Sequence, residues 1–279
     1  MPGEAEAIAL KLVQLFQDGT PGDYGTADSL TLYAANCDIR TPSRETGALE
    51  RHTRDDLCAA HERSASRFRA KRVSCYELIA DGQNAIMRYV WQVTVKDDAT
   101  EFPPRAVYRT DVAHFIEVKG GLIVRSHEYN HMETGQTVPS HNATSDADGS
   151  SAETTAKQWV EAFNRASSVD DYIAVFADDL DWWHMTDWWR GSEARFPKGN
   201  AGGLADYRQA LEFDAATLTG RRMEPYLVIA DGPGAAMRYR WYAKAPSGDR
   251  IAWDRVAVIT VDGDRITRLH EYGGPLAAS

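Results

Sequence analysis

The chain has 279 residues, with 31 Lys+Arg against 41 Asp+Glu and so a formal charge of −10. That length suits one large domain or two ordinary ones, and the 43% hydrophobic content is that of a globular chain able to bury a core. The acidic balance argues against non-specific nucleic-acid binding, and no apolar run approaches the ~20 residues of a membrane span. The first residues, Met1 to Glu6, lack the basic region of a signal peptide. Cys37, Cys58 and Cys75 are too scattered for a disulfide framework or a zinc site. The chain reads as soluble and cytoplasmic.

In chain order, an amphipathic helix comes first, with Ile8, Leu12, Leu15 and Phe16 on its apolar stripe. A shorter helix through Leu30–Tyr33 and a strand over Asp38–Thr41 follow. The next helix opens with a capping-box pattern, Thr53 to Asp56. Strands are then expected over Val73–Ile79, Ala85–Val95, Val107–Val118 and Leu122–Glu128, with turns at Asp81-Gly82 and Gly120-Gly121. Residues 132–154 are rich in Ser, Thr, Asp, Gly and Asn and read as a linker. The same order then returns. A helix carries Trp159, Val160 and Phe163, a short helix spans Tyr172–Phe176, and a strand spans Asp181–Met185. Strands over Pro225–Ile229, Ala235–Ala243, Ile251–Val261 and Arg265–Tyr272 close the chain.

The return is an internal duplication. YELIADGQNAIMRYVWQ from Tyr76 to Gln92 recurs as YLVIADGPGAAMRYRWY from Tyr226 to Tyr242, identical at 10 of 17 positions. IVRSHEY from Ile123 recurs as ITRLHEY from Ile266, identical at 5 of 7. Two domains, 1–131 and 155–279, therefore flank the linker. Helices followed by a strand meander indicate an α+β fold, with helices packed on one curved, mostly antiparallel sheet in each half.

Three helices, a meander and a closing strand of the form IxRxHEY resemble the nuclear-transport-factor-2-like superfamily, which includes SnoaL-like polyketide cyclases, ketosteroid isomerases and limonene-epoxide hydrolases. The resemblance implies two tandem cone-shaped barrels, each with a ligand pocket between sheet and helices, joined as a pseudo-dimer within one chain. A further homodimer stays open. The duplication is similar to that of two-domain epoxide hydrolases of polyether biosynthesis. Fold does not fix chemistry, so the reaction has to be argued from residues.

Alignment to the limonene-epoxide hydrolases puts Arg88 and Arg238 on that family's pocket arginine, and Glu128 and Glu271 on its closing-strand carboxylate. Its second carboxylate has Val90 and Arg240 in its place here. Asp111 and Asp254, on the neighbouring strand, are the substitutes, giving the expected constellations Asp111/Arg88/Glu128 and Asp254/Arg238/Glu271. Two acids of unequal proton affinity about an arginine suit acid–base opening of an epoxide. Asp38 and Asp181 form another duplicated pair, as do Glu62 and Glu212, but strand parity turns the aspartates away from the inward positions, Thr41 and His184. His184 falls on the isomerases' general base. Trp182, Trp241, Trp253 and Arg240 complete the expected pocket, and the Trp-rich run continues through Asp187, Trp188 and Trp189. The literal H-E-x-x-H at His127–His131 lies on a strand, where residues four apart are ~13 Å apart, too far for the helical zinc motif.

The expected activity is a cofactor-independent epoxide-opening cyclase or hydrolase, with no cofactor or metal, acting on a bulky apolar, polyketide- or terpenoid-like substrate. One alternative is a SnoaL- or ketosteroid-isomerase-like enzyme that moves a proton beside a carbonyl. Another is a non-catalytic small-molecule binding protein.

Overall fold

A computed structural model describes residues 3–17, 28–43, 47–99, 103, 105–133, 149–185 and 201–276. The chain divides into two compact units, one built mainly from residues 1–138 and the other mainly from 139–279. In the first, helix α1 (Glu4–Gln17) and a 3-10 turn (Asp28–Leu32) lead into β1 (Tyr33–Pro42), β2 (Leu49–His52) and α2 (Arg54–Arg67). Strands β3 (Phe68–Asp81), β4 (Asn84–Val95), β5 (Val107–Lys119) and β6 (Leu122–Glu133) complete it. The sheet order is β2-β1-β6-β5-β4-β3, with β1 parallel to β6 and β3 to β6 an antiparallel meander.

The second unit repeats this plan. Helices α3 (Gly149–Arg165) and α4 (Val169–Ile173) precede β7 (Phe176–His184), the short β8 (Ala201–Gly202) and α5 (Leu204–Thr217). Strands β9 (Thr219–Asp231), β10 (Gly234–Lys244), β11 (Arg250–Asp262) and β12 (Arg265–Pro275) follow. Their order is β8-β7-β12-β11-β10-β9, with β7 parallel to β12. The two short strands, β2 and β8, carry no alternating apolar signal and were not expected from the sequence. β3 starts at Phe68, ahead of its apolar run, because ladder hydrogen bonds to β4 are independent of side-chain polarity. The hairpin turns that follow β3 and β9 place Gly82 and Gly232 at φ 44° and 54°, a region glycine enters without steric cost.

Which face each strand residue occupies follows from the period of two. On β10, Ala235, Met237, Tyr239 and Trp241 join one buried cluster with Trp253, Ala257, Ile259 and Val261 of β11 and with Ala152, Ala156, Trp159 and Val160 of α3. In the first unit the matching cluster joins Met87 and Tyr89 of β4, Val112, Ile116 and Val118 of β5, and Leu12, Val13 and Phe16 of α1. Burying each of those three α1 side chains contributes about 1.5–3 kcal/mol, which holds the helix on the sheet. These residues define an inner, helix-covered face; their immediate neighbours along each strand point to the outer face.

Candidate active site

That parity separates the residues expected to act together. Arg88 alternates with Met87 and Tyr89, and Asp111 with Val112, so both lie on the outer face. There Arg88, with no exposed surface, pairs with Glu77 (Nη1 to Oε2, 2.8 Å) and sits 5.0 Å over the Tyr76 ring, while Tyr76 donates to Asp111 Oδ1 at 2.5 Å. The second unit repeats this arrangement: Arg238 lies 5.0 Å over Tyr226, Tyr226 donates to Asp254 Oδ1 at 2.6 Å, and Arg238 Nη2 is 4.0 Å from Asp254 Oδ2. Glu128 and Glu271 project from the inner face. The expected carboxylate–arginine–carboxylate constellations are therefore not assembled, because each would span both faces of a sheet.

Asp38 and Asp181 also lie outside. Asp38 Oδ2 is 3.3 Å from His127 Nε2, and Asp181 Oδ2 is 3.2 Å from His270 Nε2, each across the parallel strand pair. Burial opposes ionisation of Asp38, but Arg40 and His127 outweigh it and hold its carboxyl below the usual range. Arg240 is exposed and 6.0 Å above the Tyr226 ring, so it belongs to the outer face and not to the pocket lining expected for it. Glu62 and Glu212 are exposed on α2 and α5. Thr41 bonds His52 Nε2 at 3.0 Å at the β1–β2 edge. Asp187, Trp188 and Trp189, and the His131 side chain, lie outside the described residues; His127 to His131 do fall within strand β6.

The inner face of the second unit holds a polar centre within aromatic walls. Trp159, Phe163, Tyr172, Trp182, Tyr207, Tyr239 and Trp241 line a cavity together with His184, Asp214, Arg255 and Glu271. Its lining side chains surround about 410 Å³, counting space open to solvent. The placement expected for Trp182, His184 and Trp241 thus coincides with the cavity wall. Trp253 packs in the core behind Arg255, whose guanidinium carbon lies 4.8 Å over its ring and 5.1 Å over that of Trp241.

At the centre, Tyr239 donates to Glu271 Oε1, and Arg255 Nη1 lies 3.6 Å from the same oxygen. Nearby, Trp159 Nε1 donates to Tyr172 Oη at 2.5 Å, and Tyr172 and Tyr207 share a 2.6 Å hydrogen bond. Burial above all, with the charge of Glu271 adding to it, raises the pKa of Tyr172, Tyr207 and Tyr239 well above the usual phenol value, so these phenols stay protonated donors. Arg255, Tyr239, Tyr172, Tyr207 and Asp214 escaped the sequence reading. For Arg255 the signal was present: it is two residues from Trp253, which was assigned to the pocket. Arg238 and Trp241, an odd number of residues apart on one strand, cannot both face inward; choosing the arginine by alignment hid Tyr239.

The first unit's interior differs. Val112 stands where Arg255 does, His114 where Ala257 does, and Ser126 where Leu269 does. His114 Nε2 bonds Ser126 Oγ at 2.8 Å, and its Nδ1 lies 3.3 Å from Tyr89 Oη and 3.8 Å from Glu128 Oε1. Burial pushes the imidazole down to about 3 and the Glu128 carboxyl up to about 7, although a quarter of the Glu128 side chain stays exposed. The signs follow from proton counting. His114 takes a proton more readily unfolded, so it costs stability as pH falls from the ordinary imidazole value of 6.5 toward 3. Glu128 holds its proton more tightly folded, so it costs stability as pH rises from 4.5 toward 7. Glu128→Gln is expected to remove the second loss, raising stability by about 1–3 kcal/mol at pH 8 relative to pH 4.5. Urea denaturation at the two pH values checks it; an equal effect at both would contradict the assignment.

Fold and site together define a class: α+β cones, the second of which holds an aromatic-lined cavity between sheet and helices. A family model described as a SnoaL-like domain matches residues 12–126 and again 156–269, more than half of the chain. The chain belongs to the SnoaL-like domain family and carries its domain twice. Among solved structures, an NTF2-like protein of unknown function from Burkholderia pseudomallei is 18% identical, covering 43% of this chain and 88% of its own, with a TM-score of 0.38. TerC, crystallised with polyporic acid, is 17% identical over 43% of this chain and 89% of its own, TM-score 0.37. IdmH from Streptomyces antibioticus, described as a proposed polyketide cyclase, is 15% identical over 43% and 90%, TM-score 0.37. No curated protein matches the chain. Among the described residues, no helix is long and apolar enough to cross a membrane.

Proposed function

We propose that the chain is an enzyme that moves a proton beside a carbonyl of a bulky, largely apolar substrate, with the second cone as its reactive centre. One observation carries this reading: Glu271 lies on the floor of an aromatic-walled cavity, with Tyr239 and Arg255 both directed at its Oε1. A carboxylate so placed is a general base. As it takes a proton from carbon, charge grows on the carbonyl oxygen, and protonated phenols and a guanidinium fixed nearby stabilise that oxyanion without reorganising. Walls built from Trp159, Phe163, Tyr172, Trp182, Tyr207, Tyr239 and Trp241 favour flat ring systems.

Epoxide opening is the second reading, and Asp214 is what favours it. This residue of α5 lines the same cavity as Glu271, so one cone offers two carboxylates, the pairing that ring opening uses. Incubation with aromatic ketones, β-dicarbonyls and epoxides in D2O separates the readings. Enzyme-dependent deuterium incorporation beside a carbonyl, followed by NMR, is the expected result; epoxide consumption without such exchange overturns it in favour of ring opening.

A further inference from the structure

Among the differences between the two interiors, one pair of facing positions has a steric logic. On β11 and β12, Arg255 is paired with Gly273; at the same place on β5 and β6, Val112 is paired with Asn130. A Cβ on Gly273 would come within 2.6 Å of Arg255 Cγ and 2.6 Å of the Asp254 carbonyl oxygen. Both contacts are shorter than real Cβ atoms show, and one is to rigid backbone. The bare glycine is therefore what lets the arginine stem lie across β12. The first unit builds the same sheet with valine and asparagine, so the fold itself has no need of a guanidinium here.

The guanidinium is also held in a way that suits a ligand. It is 5% exposed, lies over both the Trp241 and Trp253 rings, and lines the cavity. Two indole faces stabilise the cation where water is excluded and fix its plane. Its Nη1 lies 3.6 Å from Glu271 Oε1, and the guanidinium also acts on the Tyr239 hydroxyl, which places it at the polar centre of the cavity.

We propose that the second cone is an oxyanion receptor, in which Gly273 admits Arg255 to bind flat aromatic ligands bearing an acidic oxygen (an enol or phenol bound as its anion), and that the first cone is not. This deepens the reading above by naming the ligand class, and it rests on the second cone being the ligand site. Arg255 is the binding group; Gly273 is a positioning residue that acts through it.

The test uses 4-nitrophenol, whose anion has its own visible absorbance, and the neutral 4-nitroanisole as control, each titrated into the full chain. One phenolate per chain is expected to bind, with the bound probe more ionised than the free one at the same pH. Arg255→Val, which installs the first cone's residue, is expected to weaken phenolate binding about 10- to 100-fold while leaving anisole binding nearly unchanged. Gly273→Asn keeps the guanidinium but displaces it, and should lose about tenfold of the same preference. If Arg255→Val does not fold by circular dichroism, Arg255→Lys carries the same comparison. Two phenolates per chain, no phenolate preference in the wild type, or equal preference in the variants would each overturn the proposal. Glu271→Gln separates it from the reaction: a variant that binds phenolate at least as well as the wild type leaves the receptor standing even where no carbonyl compound is turned over.

Discussion

Replacing Glu271 with glutamine is expected to lower kcat on a carbonyl substrate by about 10²- to 10⁴-fold, the usual contribution of a positioned general base. Glutamine has the same shape and still offers an oxygen to the Tyr239 hydroxyl, which donates to Glu271 Oε1. Binding should therefore change little, and the loss should fall on kcat while KM holds. Tryptophan fluorescence reads the binding term, since Trp159, Trp182 and Trp241 line the cavity. Glu128→Gln, in the first cone, should leave the same turnover untouched. Equal losses from both variants would show that the two cones share the reaction.

Arg88→Met is expected to lower stability by about 3–5 kcal/mol, and to leave turnover per folded molecule unchanged. Arg88 is wholly buried and pairs with Glu77 at 2.8 Å, with Glu77 itself only 15% exposed. Removing the arginine leaves a largely buried carboxylate without its counter-charge, which costs more than the pair contributed. The double variant Arg88→Met/Glu77→Gln should recover part of the loss, because no charge is then stranded. Arg238→Met should cost less, since Arg238 lies 4.0 Å from Asp254, a looser contact. Urea denaturation of the four proteins gives these terms. Full stability with lost turnover in Arg88→Met would return the arginine to the reaction.

Much of the fold was legible because duplication doubled the signal. The YxxIADG…MRYxW and RxHEY segments fall on β3–β4 with β9–β10, and on β6 with β12, in matching registers. The capping box read at Thr53 is present, with the Thr53 hydroxyl accepting from the Asp56 amide and Asp56 accepting from the Thr53 amide. Strand parity, applied consistently, also placed Asp38 and Asp181 away from the interior and His184 within it. The site was less legible for two physical reasons. A duplicated charge reads the same whether it is needed for stability or for chemistry, so Arg88/Arg238 and Asp111/Asp254 looked catalytic when they are bound into an outer-face network with Tyr76 and Tyr226. The residues that distinguish the second cone are those that duplication did not copy. Arg255, Gly273 and Asp214 match Val112, Asn130 and Ser64, and no repeat marks them. Tyr172 and Tyr207 come from helices whose distance from β12 no local pattern encodes.

If chemistry belongs to the inner face of the second cone and not to the outer-face network, Asp254→Asn and Glu271→Gln will separate sharply. Each substitution removes one negative charge and keeps the side chain's shape, and each carboxylate accepts a tyrosine hydroxyl, from Tyr226 and Tyr239 respectively. Measured on the first carbonyl compound found to exchange, and normalised to folded protein, Asp254→Asn should turn over as the wild type does while Glu271→Gln falls by about two orders of magnitude or more. Loss of activity in Asp254→Asn with activity retained in Glu271→Gln would instead place the chemistry on the outer face.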